Sequence, residues 1–167
     1  MPATPEDLFR RLDDLGIPYT NHTHPPVFTV EESRALRGDL PGGHCKNLFL
    51  RDKKRNLWLV VADEALKVDL KALRGPLGSS GTLSFGQPDL LMEVLGVIPG
   101  AVTPFALIND TGHRVSVILD AAMLKADVLN YHPLDNAQTT AIRPADLVAF
   151  IRAGGHEPRI LDFDTLA

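Results

Sequence analysis

HCKNLFLRDKKRNLWLVVA, residues 44–62, is the stretch on which the architecture turns. Two apolar runs rich in β-forming residues, LFL and LWLVVA, flank the charged segment DKKRN at residues 52–56. That pattern predicts an antiparallel hairpin with a basic tip. Side chains alternate along a strand, so one of the neighbours Cys45 and Lys46 points into the core. Free cysteine is commonly buried, and Cys45 reads as a small hydrophobe rather than a thiol activated by Lys46. Lys46 is then a cation inside an otherwise apolar strand. It either guards an edge or faces a pocket, where it would hold an anion or a phosphate.

Outward from the hairpin, helices and strands alternate. Thr4, Pro5 and Asp7 mark a helix start, Leu8, Leu12 and Leu15 recur at helical spacing, and Gly16 supplies a stop. IPYTNHTH predicts a short strand, and TVEE at residues 29–32 is a capping box opening a helix that ends near Gly38. After the hairpin, KVDLKALRG and QPDLLMEVLG predict helices, each closed by its glycine. PFALIN and HRVSVIL predict two strands around Asp110, Thr111 and Gly112. A short helix near AAMLKA precedes a strand in VLNYHPL, RPADLVAFIRAGG forms a final helix, and PRILDF a last strand. Hairpins mixed with helices indicate α/β (mixed α+β) class, with one mixed sheet flanked by helices. No linker or repeat divides the chain, so a single domain over residues 1–167 is expected.

Composition excludes several classes. The apolar runs fall far short of the ~20 residues that span a bilayer, and the N-terminus has no signal-peptide core. Cys45 is the only cysteine, which suits a reducing cytoplasm. The six histidines lack ligand spacing, so no metal and no cofactor are expected. Net charge is −4, yet residues 46–74 hold eight basic residues against four acidic ones. That local excess, with Lys53, Lys54 and Arg55 at the hairpin tip, suits a phosphate backbone; a solvated tip is the plainer alternative.

No nucleophile elbow, P-loop or dinucleotide fingerprint is present. The unusual segment is GVIPGAVTPFALIND, residues 96–110, where an apolar run is interrupted by Gly96, Pro99, Gly100 and Pro104. Pro104 fixes its own φ and biases Thr103 toward extended backbone, while Gly100 allows close approach to its amide. The segment is either a tight connection or a rigid cradle of backbone amides.

HPPVFTVEE, CKNLFL, GVIPGAVTPFALIND and NYHPLDNAQTTAI, in that order, resemble the YbaK/prolyl-tRNA editing superfamily over nearly the whole chain. HPLDN and the C-terminal helix look most like its ProXp-ala branch. The resemblance implies a freestanding, cytoplasmic trans-editing deacylase that hydrolyses mischarged Ala-tRNA(Pro). Its partners would be the acceptor end of tRNA(Pro) and prolyl-tRNA synthetase, with neither DNA nor membrane involved. Lys46 would hold the phosphate of the terminal adenosine. Gly100, Ala101, Val102, Thr103 and Pro104 match the Gly-x-x-x-Pro loop that cradles the ester. Tyr19, Phe28, Thr29, Val30, Asn47 and His132 would shape the amino-acid pocket, with Asn136 favoured over Asp135 to face it. An aminoacyl ester is already activated, so amides at the loop, positioning and the substrate's own ribose 2′-hydroxyl would suffice without a protein base. Deacylation of Cys- or Ser-charged tRNA is the enzymatic alternative, and a non-catalytic tRNA- or synthetase-binding module the other.

Overall fold

A computed structural model of the chain describes residues 2–24 and 42–166. The capping box at residues 29–32, the helix ending near Gly38, and the candidate residues Phe28, Thr29 and Val30 lie outside the described residues.

Helix α1 (Pro5–Asp14) begins as its sequence requires. Thr4 Oγ1 accepts from the Asp7 amide at 3.2 Å, and the Asp7 carboxylate accepts from the Thr4 amide at 2.9 Å. Leu8 and Leu12 are fully buried, but Leu15, at the C-cap, is exposed and leaves the expected stripe. Gly16 ends the helix in the left-handed region, at φ 70°.

The sheet comprises β1 (Thr20–Thr23), β2 (Gly43–Arg51), β3 (Leu57–Asp63), β4 (Ser84–Phe85), β5 (Val115–Asp120), β6 (Leu129–Tyr131), β7 (Gln138–Ile142) and β8 (Arg159–Leu161). Their order is β1-β7-β6-β2-β3-β5-β8, with β4 also pairing β2. The expected hairpin is β2–β3, antiparallel, with Leu48 opposite Val60. Strand β3 pairs β5 and β5 pairs β8 in parallel, so the sheet is mixed.

Helices cover both faces. Phe49, Leu59, Val61, Val117 and Leu119 face a core with α1, with α3 (Pro88–Leu95) and with α4 (Pro144–Ala153). Leu50, Trp58, Val60 and Ile118 point the other way, against Leu73 and Leu77 of α2 (Leu70–Leu77). The strict alternation along β2 and β3 follows from the period of two.

Three expectations need correction. PFALIN is no strand: Pro104–Asn109 is a 3-10 helix, capped by Thr103 Oγ1 accepting from the Phe105 amide at 3.3 Å. Pro104 at its first position lacks an N–H for a sheet ladder, and burial of residues 104–107 satisfies the apolar run equally well in a helix. Helix α2 does not close at Gly75 but runs through Pro76 to Leu77, where Gly78 at φ 68° caps it. QTTAI, which drew no element from the sequence, is β7, with Thr140 and Ile142 buried between more accessible neighbours.

One feature of the sheet positions the site. Strands β2 and β6 run parallel and pair only through Gly43–Leu129 and His44–Asn130. From there β6 leads by its next turn to β7 on one side, and β2 leads to β3 on the other. This divergence opens a notch past the carboxyl end of β6, the kind of place where open sheets bind ligands.

Candidate active site

The notch holds a cavity of about 50 Å³. Strand β2 contributes His44, Cys45 and Asn47, the end of β6 contributes Asn130, Tyr131 and His132, and Glu64 and Thr139 complete the wall. Two expected pocket residues from separate motifs, Asn47 and His132, are thereby brought together.

His132 has a defined tautomer. Its Nδ1 lies 2.8 Å from the Gln138 carbonyl. A carbonyl only accepts, so Nδ1 carries the proton and Nε2 keeps its lone pair. Burial lowers the imidazole pKa, the Gln138 contact opposes that, and the neighbouring His24 lowers it further. Asn47 Oδ1 is buried without a hydrogen-bond partner. Buried polar atoms are rarely left so, and a ligand or a water is the usual explanation.

Cys45 is inert at the cavity wall. Desolvation pushes its thiol up to about 12, helped by Asp63, Glu64 and Asp120, against a lowering hydrogen bond with Tyr131. Lys46 therefore does not activate it. Lys46 projects to the opposite face of β2, where Nζ donates to the Leu66 carbonyl, and it does not line the cavity.

The Gly-x-x-x-Pro loop does not line the notch cavity but belongs to the core on the α1 side of the sheet. Phe105, which follows it directly, meets the ring of Tyr131 edge-on at 6.0 Å, and Ala101 and Val102 belong to the same core. Pro99–Ala101 is a 3-10 turn, in which the Ala101 amide donates to the Ile98 carbonyl at 2.9 Å. Thr103 is extended, at φ −160° and ψ 149°, as the proline after it demands. Its hydroxyl is spent on the cap, and the whole residue is buried. Gly100 sits in a helical turn rather than in the left-handed region, so no backbone strain requires glycine there.

Other expected residues lie apart from the notch cavity. Tyr19 stacks on Phe9 at 5.1 Å and lines a separate groove with Gly43, Val128 and Arg143. Asp135 is committed to its own turn, accepting from the Ala137 amide at 3.1 Å and from Gln138 Nε2 at 2.8 Å. Asn136 is buried and does not line the cavity. Lys53, Lys54 and Arg55 are exposed at the far tip of the β2–β3 hairpin. There Asp52 accepts from the amides of Lys54, Asn56 and Ser80 at 3.0, 2.8 and 2.9 Å. Desolvation works to raise the Asp52 carboxyl, but these donors and the Asn56 side chain outweigh it and hold it at about 2.

The sequence did not single out His44, Glu64, Tyr131 or Thr139. Only the pairing of β6 with β7 and with β2 places them together, and that register has no local signal. Among the described residues no group of three or more His, Cys, Asp or Glu side chains is arranged to hold a metal. Nor is any described helix long and apolar enough to cross a membrane.

The model of the aminoacyl-tRNA editing domain matches residues 24–150. The mouse prolyl-tRNA synthetase associated domain-containing protein 1 is 40% identical over 162 residues, 95% of each chain. The prolyl-tRNA editing protein ProX of Acetoanaerobium sticklandii is 40% identical over 147 residues, 87% of this chain and 89% of that one. A crystal structure described as a candidate trans-editing enzyme for prolyl tRNA synthetase superposes with TM-score 0.72 at 18% identity, covering 97% and 98% of the two chains. The chain belongs to the aminoacyl-tRNA editing domain family and is an aminoacyl-tRNA hydrolase.

Proposed function

We propose that this hydrolase is a trans-editing deacylase that removes alanine from mischarged Ala-tRNA(Pro). The observation that carries the reading is the notch. Asn47 and His132 share one cavity there, and Phe105, the residue after the Gly-x-x-x-Pro loop, meets the ring of its wall residue Tyr131. Relatives of similar extent named for prolyl-tRNA editing support the choice of tRNA. The choice of alanine rests on the resemblance of HPLDN, residues 132–136, and the C-terminal helix to the ProXp-ala branch.

In the reaction, water adds to the ester carbonyl, and the bond to the ribose oxygen then breaks. Free amino acid is released, and the ribose oxygen takes a proton. The loop's part is to donate backbone amides to the developing oxyanion, and in other enzymes one such donor is worth about 3–4 kcal/mol. With the Ala101 amide bound to Ile98 and the Phe105 amide to Thr103, that task falls to the amides of the half-buried Gly100 and Val102. Lys46 would exchange the Leu66 carbonyl for the phosphate of the terminal adenosine. Lys53, Lys54 and Arg55 would meet phosphates of the acceptor stem.

Deacylation of a panel charged with Ala, Ser, Cys, Gly, 2-aminobutyrate or Pro tests this. Fastest release from Ala-tRNA(Pro) and none from Pro-tRNA(Pro) is expected. Preference for Cys- or Ser-charged tRNA would transfer the enzyme to the alternative substrates.

A further inference from the structure

Phe85 is the most exposed large apolar side chain among the described residues, at 56%. It stands on β4, along the edge of β2 that β3 leaves free. Strand β6 pairs that edge at Gly43 and His44, where the notch opens, and β4 pairs it at Leu50 and Arg51. The mount of the ring is fixed. Gly86 donates its amide to the Phe49 carbonyl at 2.8 Å, and a methyl at Gly86 would strike the Phe49 ring. Leu83, on the other side, is buried in the core that faces α2. Directly opposed residues of an antiparallel pair share a face, so Phe85 projects on the side of Leu50 and, by alternation along β2, of Lys46. From Lys46 to Leu50 the extended chain covers about 13 Å. Cations adjoin the ring. Arg51 is opposite Ser84, the Lys53 amide donates to the Ser80 carbonyl at 3.2 Å, and the stem of Lys53 lies against Gly81. Lys54 and Arg55 are exposed on the same tip, where the Asp52 carboxylate is turned inward onto backbone amides.

We propose that Phe85 is a stacking platform for an unpaired base of the tRNA 3′ end, set between the adenosine phosphate at Lys46 and the stem at the basic tip. This rests on the deacylase reading above and sharpens it. A lone exposed apolar residue is ordinary on a protein surface. An aromatic ring on a rigid edge strand, with cations on the adjoining turn, is the combination by which proteins hold single-stranded nucleic acid. Every base has a π-face, and the phosphates flanking it fall to lysine and arginine. A docked protein would need an apolar patch wider than one ring, and here the neighbours Arg51, Lys53 and Ser84 are charged or polar. The ring supplies what the cations alone do not. Phosphate contacts position the stem without reading its bases, whereas a stacked base fixes the path of the tail from the stem to the ester.

The test measures the affinity of the whole protein for uncharged RNA hairpins of the tRNA(Pro) acceptor stem. One carries the unpaired 3′ tail, one carries abasic residues in that tail, and one is blunt-ended. Phe85→Ala is expected to weaken binding of the tailed hairpin at least about fivefold, the lower end of what one stacked base contributes. Its affinity for the abasic and blunt-ended hairpins should match that of the wild type. Phe85→Trp should keep or tighten binding, and Phe85→Leu, apolar but without a π-face, should fall with alanine; thermal unfolding verifies that each variant is folded. The loss should persist from about 50 to 200 mM salt with an unaltered salt slope, since stacking neutralises no phosphate. Equal affinities of wild type and Phe85→Ala for the tailed hairpin would overturn the platform. So would a loss shared by the blunt-ended hairpin, or weakened capture of prolyl-tRNA synthetase with RNA affinity intact, which would make the ring a protein contact. Parallel turnover on Ala-tRNA(Pro) separates the two readings. A tail-dependent loss in Phe85→Ala without hydrolysis by the wild type would refute the deacylase assignment alone, and hydrolysis without that loss would refute the platform alone.

Discussion

Asp110 and His156 form a buried pair, at 3% and 5% exposure. The Asp110 carboxylate accepts from His156 Nε2 at 2.9 Å and from the amides of Arg114 and Val115 at 3.0 and 2.9 Å. The pair thus ties the end of the 3-10 helix after the loop to β5 and to the segment beyond α4. Removing one partner of such a pair typically costs about 3–5 kcal/mol, because the other is left buried and unpaired. Asp110→Ala should therefore lower unfolding free energy by that order in urea titration, and Asp110→Asn by less. His132 makes a different prediction, read through pH. Its folded-state pKa lies below the ordinary value of about 6.5, with His24, Asp135 and the cavity residues His44 and Glu64 around it. A depressed pKa means that the unfolded chain binds the proton more readily. The stability this residue contributes is complete above about 6.5 and is lost as pH falls through the folded value. His132→Gln keeps a donor for the Gln138 carbonyl and should flatten that acid limb in thermal unfolding measured between pH 7 and 5. Lys46→Ala should sharply reduce deacylation while leaving the midpoint of unfolding near the wild-type value, since its hydrogen bond to Leu66 lies on a partly accessible face.

At the scale of elements, legibility followed capping and periodicity. Helix α1 is announced by Thr4, Pro5 and Asp7, and α3 is closed by Gly96 at φ 67°, each a local device with a local signal. The β2–β3 hairpin was equally plain, because two apolar runs rich in β-forming residues flank a charged turn. PFALIN failed because a short apolar run reports burial, not backbone shape, and the cap on Thr103 decided the shape. β7 failed for the opposite reason: QTTAI is too polar to stand out, although its buried Thr140 and Ile142 alternate as a strand should. Asn47 was legible only through the family resemblance, and the notch it shares with His132 depends on a pairing of distant strands. The loop itself yields a clean experiment. Gly100 lies in a 3-10 turn that any residue can adopt, so Gly100→Ala should leave stability unchanged or raise it by about 0.4–1 kcal/mol through the unfolded chain. If the ester approaches this amide, one methyl obstructs it and activity per folded molecule falls more than tenfold, about 1.4 kcal/mol. Wild-type turnover in Gly100→Ala would reduce the loop to a connection.

The whole molecule has a net charge of −4 and must nonetheless hold an RNA. Its distribution of charge offers the solution, and the hairpin offers the reach. From Asn47 at the notch to Lys53 at the tip, six residues of extended chain span about 20 Å. A terminal adenosine seated at the notch would leave the stem behind it within range of Lys53, Lys54 and Arg55. Asp52 holds that tip in shape through four hydrogen bonds, so its cations are presented on a fixed turn rather than on a loose one. Each phosphate neutralised releases counterions, so log affinity should fall linearly with log salt, by about 0.7–0.9 per contact. Reversing all three charges to Glu should weaken tRNA binding and flatten the slope by about 2–3 in filter binding between 50 and 200 mM salt. Turnover at saturating tRNA should stay near wild type, because the tip lies far from the ester. A second arm separates shape from charge: Asp52→Asn keeps the three cations but weakens the acceptor that fixes the turn, so affinity should drop with little change in slope. An unchanged slope in the triple reversal would place the stem on another face and leave the basic hairpin as a solvated tip.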